Sequence, residues 1–343
     1  MIKDLLKEGF IKKSKGYYKQ AIESFYKALE LDNTSSELIL EIAECYFYLN
    51  DEERTLSYIE QILNEDPAHI ESLKLLKKIF IKRKAWKEAV QTAKNIFSIS
   101  NSTEDLEEIL NLFNKSKNFN EVFEYNTEIN SAEILYQKAY AKLQLNEPKE
   151  AENYINEALK IESDNKKLLL KSKIIFKLNK QEEATEILNK INLDSSDVDT
   201  LNFAGIVKQY ECKFTEAISL FKEALKLDST NHELYYNCAS TYFKLGNIQL
   251  AKKYYNLAIL HAPDNPNYHF ALANLYYSEK QYKRALEELD LNLFEAKLLK
   301  AIILYDSGYL AIAKRELENL YNEQPENELI INYRNKIDEE LKI

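Results

Sequence analysis

The segment Phe214 to Ser229, FTEAISLFKEALKLDS, contains the pattern that decides the fold of this chain. Ala217, Phe221 and Ala224 are spaced i, i+4 and i+7, which places two small residues and one ring on a single face of an amphipathic helix. Small residues let a neighbouring helix approach closely, and the aromatic side chain fills the space that remains. The segment therefore predicts one helix of a closely packed helix pair.

The same helix face recurs along the whole sequence. The small residue that opens it is Ala21, Thr55, Ala89, Val122, Ala151, Ala184, Ala217, Ala251, Ala285 and Ala313 in turn. The successive intervals are 34, 34, 33, 29, 33, 33, 34, 34 and 28 residues. A near-constant interval over most of the chain indicates an array of stacked repeats rather than a set of compact globular domains.

Residues 232–265 show the repeat most completely. Its large, small and aromatic positions are occupied by Tyr235, Cys238, Ala239, Tyr242, Ala251, Tyr255, Ala258 and Pro263. In period and in residue types the chain resembles the tetratricopeptide repeat family. The resemblance covers essentially the whole chain. It implies an all-α, right-handed superhelical solenoid of about ten antiparallel helix pairs plus a C-terminal capping helix, with the first helix of each pair lining an inner groove.

The repeat register predicts where the helices lie and how the repeats are grouped along the chain. We expect first helices near residues 2–14, 36–49, 68–83, 103–116, 132–145, 165–178, 197–210, 231–245, 266–279 and 293–307, each followed by a short turn and a second helix. Within one continuous solenoid, residues 1–131 form repeats one to four and residues 132–292 form repeats five to nine. Residues 293–343 form repeat ten and the capping helix.

Local signals refine this picture. The two short intervals predict that the second helices near 119–129 and 282–290 lose more than one turn. Asparagine tolerates the left-handed backbone conformation that usually ends a helix, so we expect that conformation at Asn50, Asn118, Asn146 and Asn179. In the last segment, one apolar stripe is expected to cover repeat ten, formed by Ile330, Tyr333, Ile337 and Leu341.

Composition limits the classes of function. The chain has 343 residues, of which 45% are hydrophobic and 30% charged, with a net charge of −10 and a pI near 5.2. The acidic balance argues against a general nucleic-acid binder, because phosphate contacts need a basic face. The three cysteines lack paired spacing, and no apolar run approaches the roughly 18 residues of a membrane span. We therefore expect a cytoplasmic protein without membrane insertion.

The sequence contains no pattern that predicts a reaction. The four histidines do not cluster with cysteines or carboxylates at ligand spacing, so no metal site is expected. With 5 glycines there is no glycine-rich phosphate loop, and no nucleophile elbow is present. We expect a protein without catalytic residues and without a cofactor.

The candidate binding site lies on the first helices of repeats seven to nine. Amides between aromatic residues suit an extended peptide, because amides bond its backbone and rings cover its apolar side chains. The alternative is that these rings only pack between adjacent first helices. The candidate residues are Asn202, Gln209, Tyr236, Phe243, Phe270, Asn274 and Tyr277.

A second surface carries lysines. In the sixth repeat, Lys166, Lys173 and Lys177 are spaced i, i+7 and i+11 and fall on the expected inner face. They form either a solvated face or a contact for an acidic peptide or RNA. Our leading hypothesis is a non-catalytic scaffold that binds a peptide or protein partner in the groove. The alternatives are an RNA-binding helical-repeat protein that uses the lysines and a regulatory subunit of a separate enzyme.

Overall fold

The computed structural model describes residues 2–31, 35–125, 129–191, 197–290 and 292–341. Within these residues the chain forms twenty-one helices and no strand. In chain order, α1 to α21 are Ile2–Ser14, Tyr18–Leu29, Ser36–Tyr48, Glu52–Glu65, Ile70–Lys82, Trp86–Ser100, Thr103–Lys115, Glu121–Glu124, Ala132–Gln144, Pro148–Ile161, Asn165–Lys177, Gln181–Leu188, Val198–Tyr210, Phe214–Leu227, His232–Lys244, Ile248–His261, Pro266–Ser278, Tyr282–Glu288, Phe294–Asp306, Leu310–Glu323 and Glu328–Glu340.

The helices form ten successive pairs followed by α21, as the sequence predicts. The odd-numbered helices α1 to α19 are the first helices of the pairs, and each contains 13 residues. Every predicted bound of a first helix lies within two residues of the observed bound. The all-α solenoid fold of helix pairs is therefore confirmed.

Side-chain hydrogen bonds cap the start of several first helices, and a residue with a left-handed backbone follows the end of each first helix of a pair. Ser35, Ser102, Asp164, Asp197 and Asn231 each accept a bond from a backbone N–H in the first turn of the helix that follows. Two residues after each first helix of a pair, one residue has a left-handed backbone: Gly16, Asn50, Lys84, Lys117, Asn146, Asn179, Cys212, Gly246, Lys280 and Gly308.

The prediction of a left-handed residue is confirmed at Asn50, Asn146 and Asn179 and is wrong at Asn118. In the fourth repeat Lys117 has that conformation, with φ of 61°. The reason is that α7 ends at Lys115, so the left-handed position falls one residue before the asparagine. Helix length, and not the preferred residue type, fixes this position.

The repeated small residues form the contact between the helices of each pair. All ten are fully buried: Ala21, Thr55, Ala89, Val122, Ala151, Ala184, Ala217, Ala251, Ala285 and Ala313. Phe221 of α14 lies against Gly205 of α13, where a Cβ atom on the glycine would overlap the phenylalanine ring. Gly9 and Phe25 make the same contact in the first repeat.

The chain divides into two compact units, Met1–Ile187 and Leu188–Ile343. In unit 1, the buried core is a series of apolar clusters between consecutive helices from α1 to α12. In unit 2, a similar series runs through α13 to α21. The grouping into residues 1–131, 132–292 and 293–343 stays a prediction.

Two short second helices occur where they are predicted. α8 has 4 residues and α18 has 7, against 14 in α10 and α14. α12 is also short, with 8 residues, which the sequence does not predict because the interval from Ala184 to Ala217 is a regular 33 residues. Repeat spacing therefore reports where the next helix pair begins and not where a second helix ends.

The first helices on either side of the short α8 contact each other through buried amide side chains. Asn114 of α7 donates from Nδ2 to the backbone carbonyl of Gln137 in α9 at 2.9 Å and to its Oε1 at 2.7 Å. Both side chains are buried. Val122 of α8 is buried in the same cluster as Leu110 and Ile134, so the fourth repeat is packed although valine stands where most repeats have alanine.

The last helix covers the tenth repeat. Ile330 and Ile337 of α21 are fully buried in a cluster with Leu317 and Leu320 of α20. Tyr333 is half-buried, as the predicted stripe requires. The expectation for Leu341 is wrong, because it is the residue after the end of α21 and 51% of it is exposed.

Candidate binding surface

The seven candidate residues lie on three first helices of unit 2. We call this surface the aromatic face. Asn202 and Gln209 are on α13, Tyr236 and Phe243 on α15, and Phe270, Asn274 and Tyr277 on α17. Bonds and ring contacts join neighbouring helices at this face, so the structure brings residues from successive repeats into contact.

The candidate amides already bond within the protein. Asn202 accepts a hydrogen bond at Oδ1 from Asn237 Nδ2 at 2.8 Å and donates from Nδ2 to Glu233 Oε1 at 3.3 Å. Gln209 donates from Nε2 to Thr241 Oγ1 at 2.9 Å. On α17, Asn274 donates to the backbone carbonyl of Phe270 at 3.1 Å. These bonds fix the direction of each amide before any partner is bound.

The candidate rings differ in how much of them is accessible. Tyr236 stacks on Tyr268 with ring centroids 5.0 Å apart. Phe270 and Tyr277 are half-buried against the cluster that contains Ala273 and Ala285. Phe243 is exposed, with 36% of its surface accessible. The first three rings therefore contribute to packing between helices, whereas Phe243 presents an open apolar surface.

The Tyr277 hydroxyl on this face acts as a hydrogen-bond donor. Tyr277 donates to Asp306 Oδ2 at 2.6 Å. Burial raises the pKa of Tyr277, and the hydrogen bond to Asp306 and the charge of that carboxylate raise it further. Burial also raises the pKa of Tyr268. Both phenols consequently stay protonated at neutral pH.

Sequence reasoning missed Tyr268 and His232, which extend the ring cluster. The Tyr268 hydroxyl lies 2.6 Å from His232 Nδ1, and the two rings are in contact. Tyr268 is not among the candidates because it occupies a core position of its repeat. A spacing of 32 residues could have identified the stacking of Tyr236 on Tyr268, since the same spacing separates Gln209 from its partner Thr241.

Lys166, Lys173 and Lys177, which we call the lysine stripe, lie in unit 1 on α11. Lys166 is exposed, and its Nζ bonds both carboxylate oxygens of Glu133, at 2.9 and 3.1 Å, while lying 4.2 Å from the centroid of the Tyr136 ring. Lys173 is half-buried, and Lys177 is exposed. The charge of Lys166 is thus balanced by a carboxylate of the neighbouring repeat.

Two of the three thiols are buried, and the third, Cys212, is exposed. Cys45 and Cys238 are buried, and burial raises the pKa of these thiols to about 11 and about 12. Over the described ranges, no group of three or more His, Cys, Asp and Glu residues is arranged to hold a metal ion. None of the described helices is both long and apolar enough to cross a membrane.

Comparison with known proteins agrees with this architecture. One tetratricopeptide repeat model matches residues 14–79 and 211–269, and a second matches residues 132–165. A TPR repeat-containing protein of Methanocaldococcus jannaschii is 24% identical over 317 residues, covering 85% of this chain and 53% of that protein. The chain contains tetratricopeptide repeats. It spans about half the length of the curated relative that it matches.

Solved tetratricopeptide-like structures share the fold at low sequence identity. The Cut9–Hcn1 assembly of the APC/C matches with a TM-score of 0.63 at 12% identity, over 97% of this chain and 75% of that chain. A tetratricopeptide repeat protein from Parabacteroides merdae matches with a TM-score of 0.55 at 15% identity, over 70% and 98%. A monomeric IFIT1 mutant with m7Gppp-AAAA matches with a TM-score of 0.56 at 12% identity, over 98% and 81%. Tetratricopeptide repeats generally mediate protein–protein interaction or scaffolding, and the fold is typically non-catalytic.

Proposed function

We propose that this tetratricopeptide repeat protein is a non-catalytic scaffold that binds an extended segment of a protein partner on the aromatic face. The observation that carries the proposal is the exposed Phe243 ring, which lies on a face where the neighbouring amides are held in fixed directions. An exposed aromatic side chain beside oriented amides provides both apolar contact area and bonds to a peptide backbone.

The amides keep capacity for a partner. A primary amide has two N–H donors and an oxygen with two lone pairs, so it can take part in four hydrogen bonds. Gln209 uses one donor on Thr241, and Asn274 uses one donor on the carbonyl of Phe270. A partner backbone that bonds the remaining groups would find them already oriented, which lowers the entropy cost of binding.

Site-specific crosslinking tests this proposal while the identity of the partner is still open. A photoreactive phenylalanine analogue at position 243 should capture one protein in the native cell. The same analogue at position 309 is the control, because Tyr309 is also exposed in unit 2 but lies in the turn before α20. Phe243→Ala should then weaken the purified complex at least tenfold, about 1.4 kcal/mol, while Tyr309→Ala leaves the Kd unchanged. Equal capture at both positions, or equal Kd values, would contradict the proposal.

The salt dependence of that complex is the first prediction. A segment held by amides and rings should bind almost equally well at low and high salt. Exposed charge pairs, in contrast, are screened over about 10 Å at 0.1 M salt. Titration of the captured partner between low and high salt measures this difference. A steep loss of affinity with increasing salt would indicate that the partner binds the lysine stripe and not the aromatic face.

The contacts of the lysine stripe support RNA binding less than the aromatic face supports binding of a protein segment. The IFIT1 structure contains m7Gppp-AAAA, but identity of 12% relates the two chains in fold alone. In this chain Lys166 is paired with Glu133 and covers the Tyr136 ring. A phosphate would have to compete with that carboxylate for the ammonium group.

A further inference from the structure

The aromatic face continues beyond Tyr277 onto α19 and α21. Phe243, Tyr277 and Tyr305 occupy the same position, next to last, in α15, α17 and α19. Each of the two tyrosines donates its hydroxyl proton to the last residue of the next odd-numbered helix. Tyr277 donates to Asp306 Oδ2 at 2.6 Å, and Tyr305 donates to Glu340. The same contact is therefore made twice in succession along one edge of the face.

A third tyrosine completes this group. Tyr333 of α21 lies against Tyr305 with ring centroids 5.3 Å apart and ring planes at 77°. Burial raises the pKa of Tyr333, and the charge of Asp306 raises it further, so this carboxylate lies near Tyr333 as well as Tyr277. The three rings are half-buried, whereas Asp306 and Glu340 are exposed. We call Tyr277, Tyr305, Tyr333, Asp306 and Glu340 the tyrosine cluster.

The tyrosine cluster carries two carboxylates and only one neighbouring cation. In the described part of the chain, no lysine or arginine forms an ion pair with Asp306 or Glu340. The exposed Lys336 of α21 places its Nζ 5.0 Å from the centroid of the Tyr333 ring. A carboxylate has about four acceptor sites, and each phenol fills one of them. The remaining sites suit a ligand that is positively charged and rich in N–H donors.

We propose that the tyrosine cluster binds an arginine side chain of the partner segment. The guanidinium group would lie against the Tyr305 ring and donate hydrogen bonds to Asp306 and Glu340. Its planar fork of five N–H donors stacks on aromatic rings and bonds carboxylates, so one side chain satisfies both features of the cluster. The inference rests on the proposed function in taking a protein segment as the ligand, and Tyr277 belongs to both surfaces.

Other side chains fit the tyrosine cluster less well. An acidic side chain would be repelled by both carboxylates. The ammonium group of lysine is a compact, strongly hydrated charge that cannot stack flat on a ring. Exposed charge contacts contribute only about 0.2–1 kcal/mol each, so one arginine leaves the salt dependence of the whole segment small. The amides and rings of the aromatic face then supply most of the affinity.

NMR titration of the full chain, labelled with 13C in its tyrosine rings, tests the proposal with defined peptides. The probes are acetylated pentapeptide amides, Gly-Ser-X-Ser-Gly, with arginine, citrulline, lysine or glutamate at X. Citrulline has the shape of arginine without its charge and is the matched control. The arginine peptide should shift the Tyr305 resonance, which is identified by its loss in Tyr305→Phe, with a Kd of about 1–5 mM. The citrulline peptide should bind at least about threefold more weakly.

Two variants of the carboxylates show whether the cluster is the site. Asp306→Asn and Glu340→Gln each remove one charge and keep an oxygen that can accept the tyrosine hydrogen bond. Each should weaken the arginine peptide at least about twofold at an unchanged melting temperature. Glu223→Gln, at an exposed position of α14, is the control and should leave the Kd unchanged.

Three results would overturn the proposal: equal Kd values for arginine and citrulline, a lysine peptide that binds as tightly as arginine, or Kd values that do not change in the two carboxylate variants. The outcome is separable from that of the crosslinking experiment. Capture at position 243 without binding of the arginine peptide would contradict the tyrosine cluster alone. Binding of the arginine peptide without capture would contradict the proposed function and leave the tyrosine cluster as an arginine site.

Discussion

Gly205 lies so close to Phe221 that no side-chain atom fits between the glycine and the ring. Gly205→Ala would place a methyl group in steric overlap with the fully buried ring of Phe221. We expect the free energy of unfolding to fall by about 1–3 kcal/mol, which is typical of an overpacked core. Thermal melting followed by circular dichroism measures the change. A melting temperature equal to that of the parent would show that the ring moves aside at no cost.

A double variant separates this contact from a general effect of the substitution. Where the ring is replaced by isoleucine elsewhere in the chain, the facing residue is alanine, as in Ala43 with Ile59 and Ala139 with Ile155. Gly205→Ala combined with Phe221→Ile recreates that pair and should recover most of the lost stability. Additive losses from the two changes would assign the cost to something other than their contact.

At residues with a left-handed backbone, we predict that a substitution by glycine stabilises the protein. Lys280 has φ of 59°, a conformation that is strained for residues with a Cβ atom. Lys280→Gly should therefore raise the free energy of unfolding by about 0.5–1 kcal/mol. Lys253→Gly, at an exposed position inside α16, is the control and should lower it by about 1 kcal/mol. Chemical denaturation of the two variants beside the parent tests both signs.

At the scale of the helix, the short second helices should open first. α8 and α18 contain 4 and 7 residues, so each has few backbone hydrogen bonds and little surface to bury. Hydrogen exchange followed by mass spectrometry should show early exchange in both helices and near Asn130 and Asn292. The neighbouring first helices α7 and α17 serve as internal references. Protection equal to theirs would contradict the prediction.

Two adjacent residues of α21 test how that helix stabilises the tenth repeat. Ile330 is fully buried among the residues of α20, whereas 38% of Ile331 is exposed. Ile330→Ala should destabilise unit 2 by about 2–5 kcal/mol through lost contacts and a cavity, and Ile331→Ala should have little effect. Melting curves of the two variants provide the comparison. Similar losses would mean that α21 packs in a different register.

At the scale of the whole chain, the sequence predicts what depends on spacing along the polypeptide. The first helices and the buried small residues follow from a period of about 34, because each helix pair buries its own apolar face. The seven candidate residues do fall on first helices of successive repeats. Their availability could not be predicted in the same way. Whether Asn202 bonds Asn237 or a ligand depends on how one repeat is rotated against the next, which the period does not encode.

The two units differ in the chemistry of their first helices. In unit 1 cations and carboxylates of neighbouring repeats are paired, as in Lys13 with Glu41 and Lys166 with Glu133. Lys77 is buried and paired with Glu108. On the aromatic face of unit 2, the contacts between first helices include the Asn202–Asn237 amide bond and the stack of Tyr236 on Tyr268. A single chain thus presents paired charges on first helices of unit 1 and an aromatic face on unit 2.

The contacts between repeats also bear on how this chain folds. Asn114 and Gln137 are 23 positions apart, Lys166 and Glu133 are 33, and His232 and Tyr268 are 36. Bringing such residues together closes a loop of about one repeat, so folding can nucleate in any repeat and then propagate to its neighbours. An array of this kind can unfold in several steps and not in one cooperative transition. A local loss of stability can leave distant repeats folded, and a shortened or damaged chain would keep working segments that a single-core protein would lose.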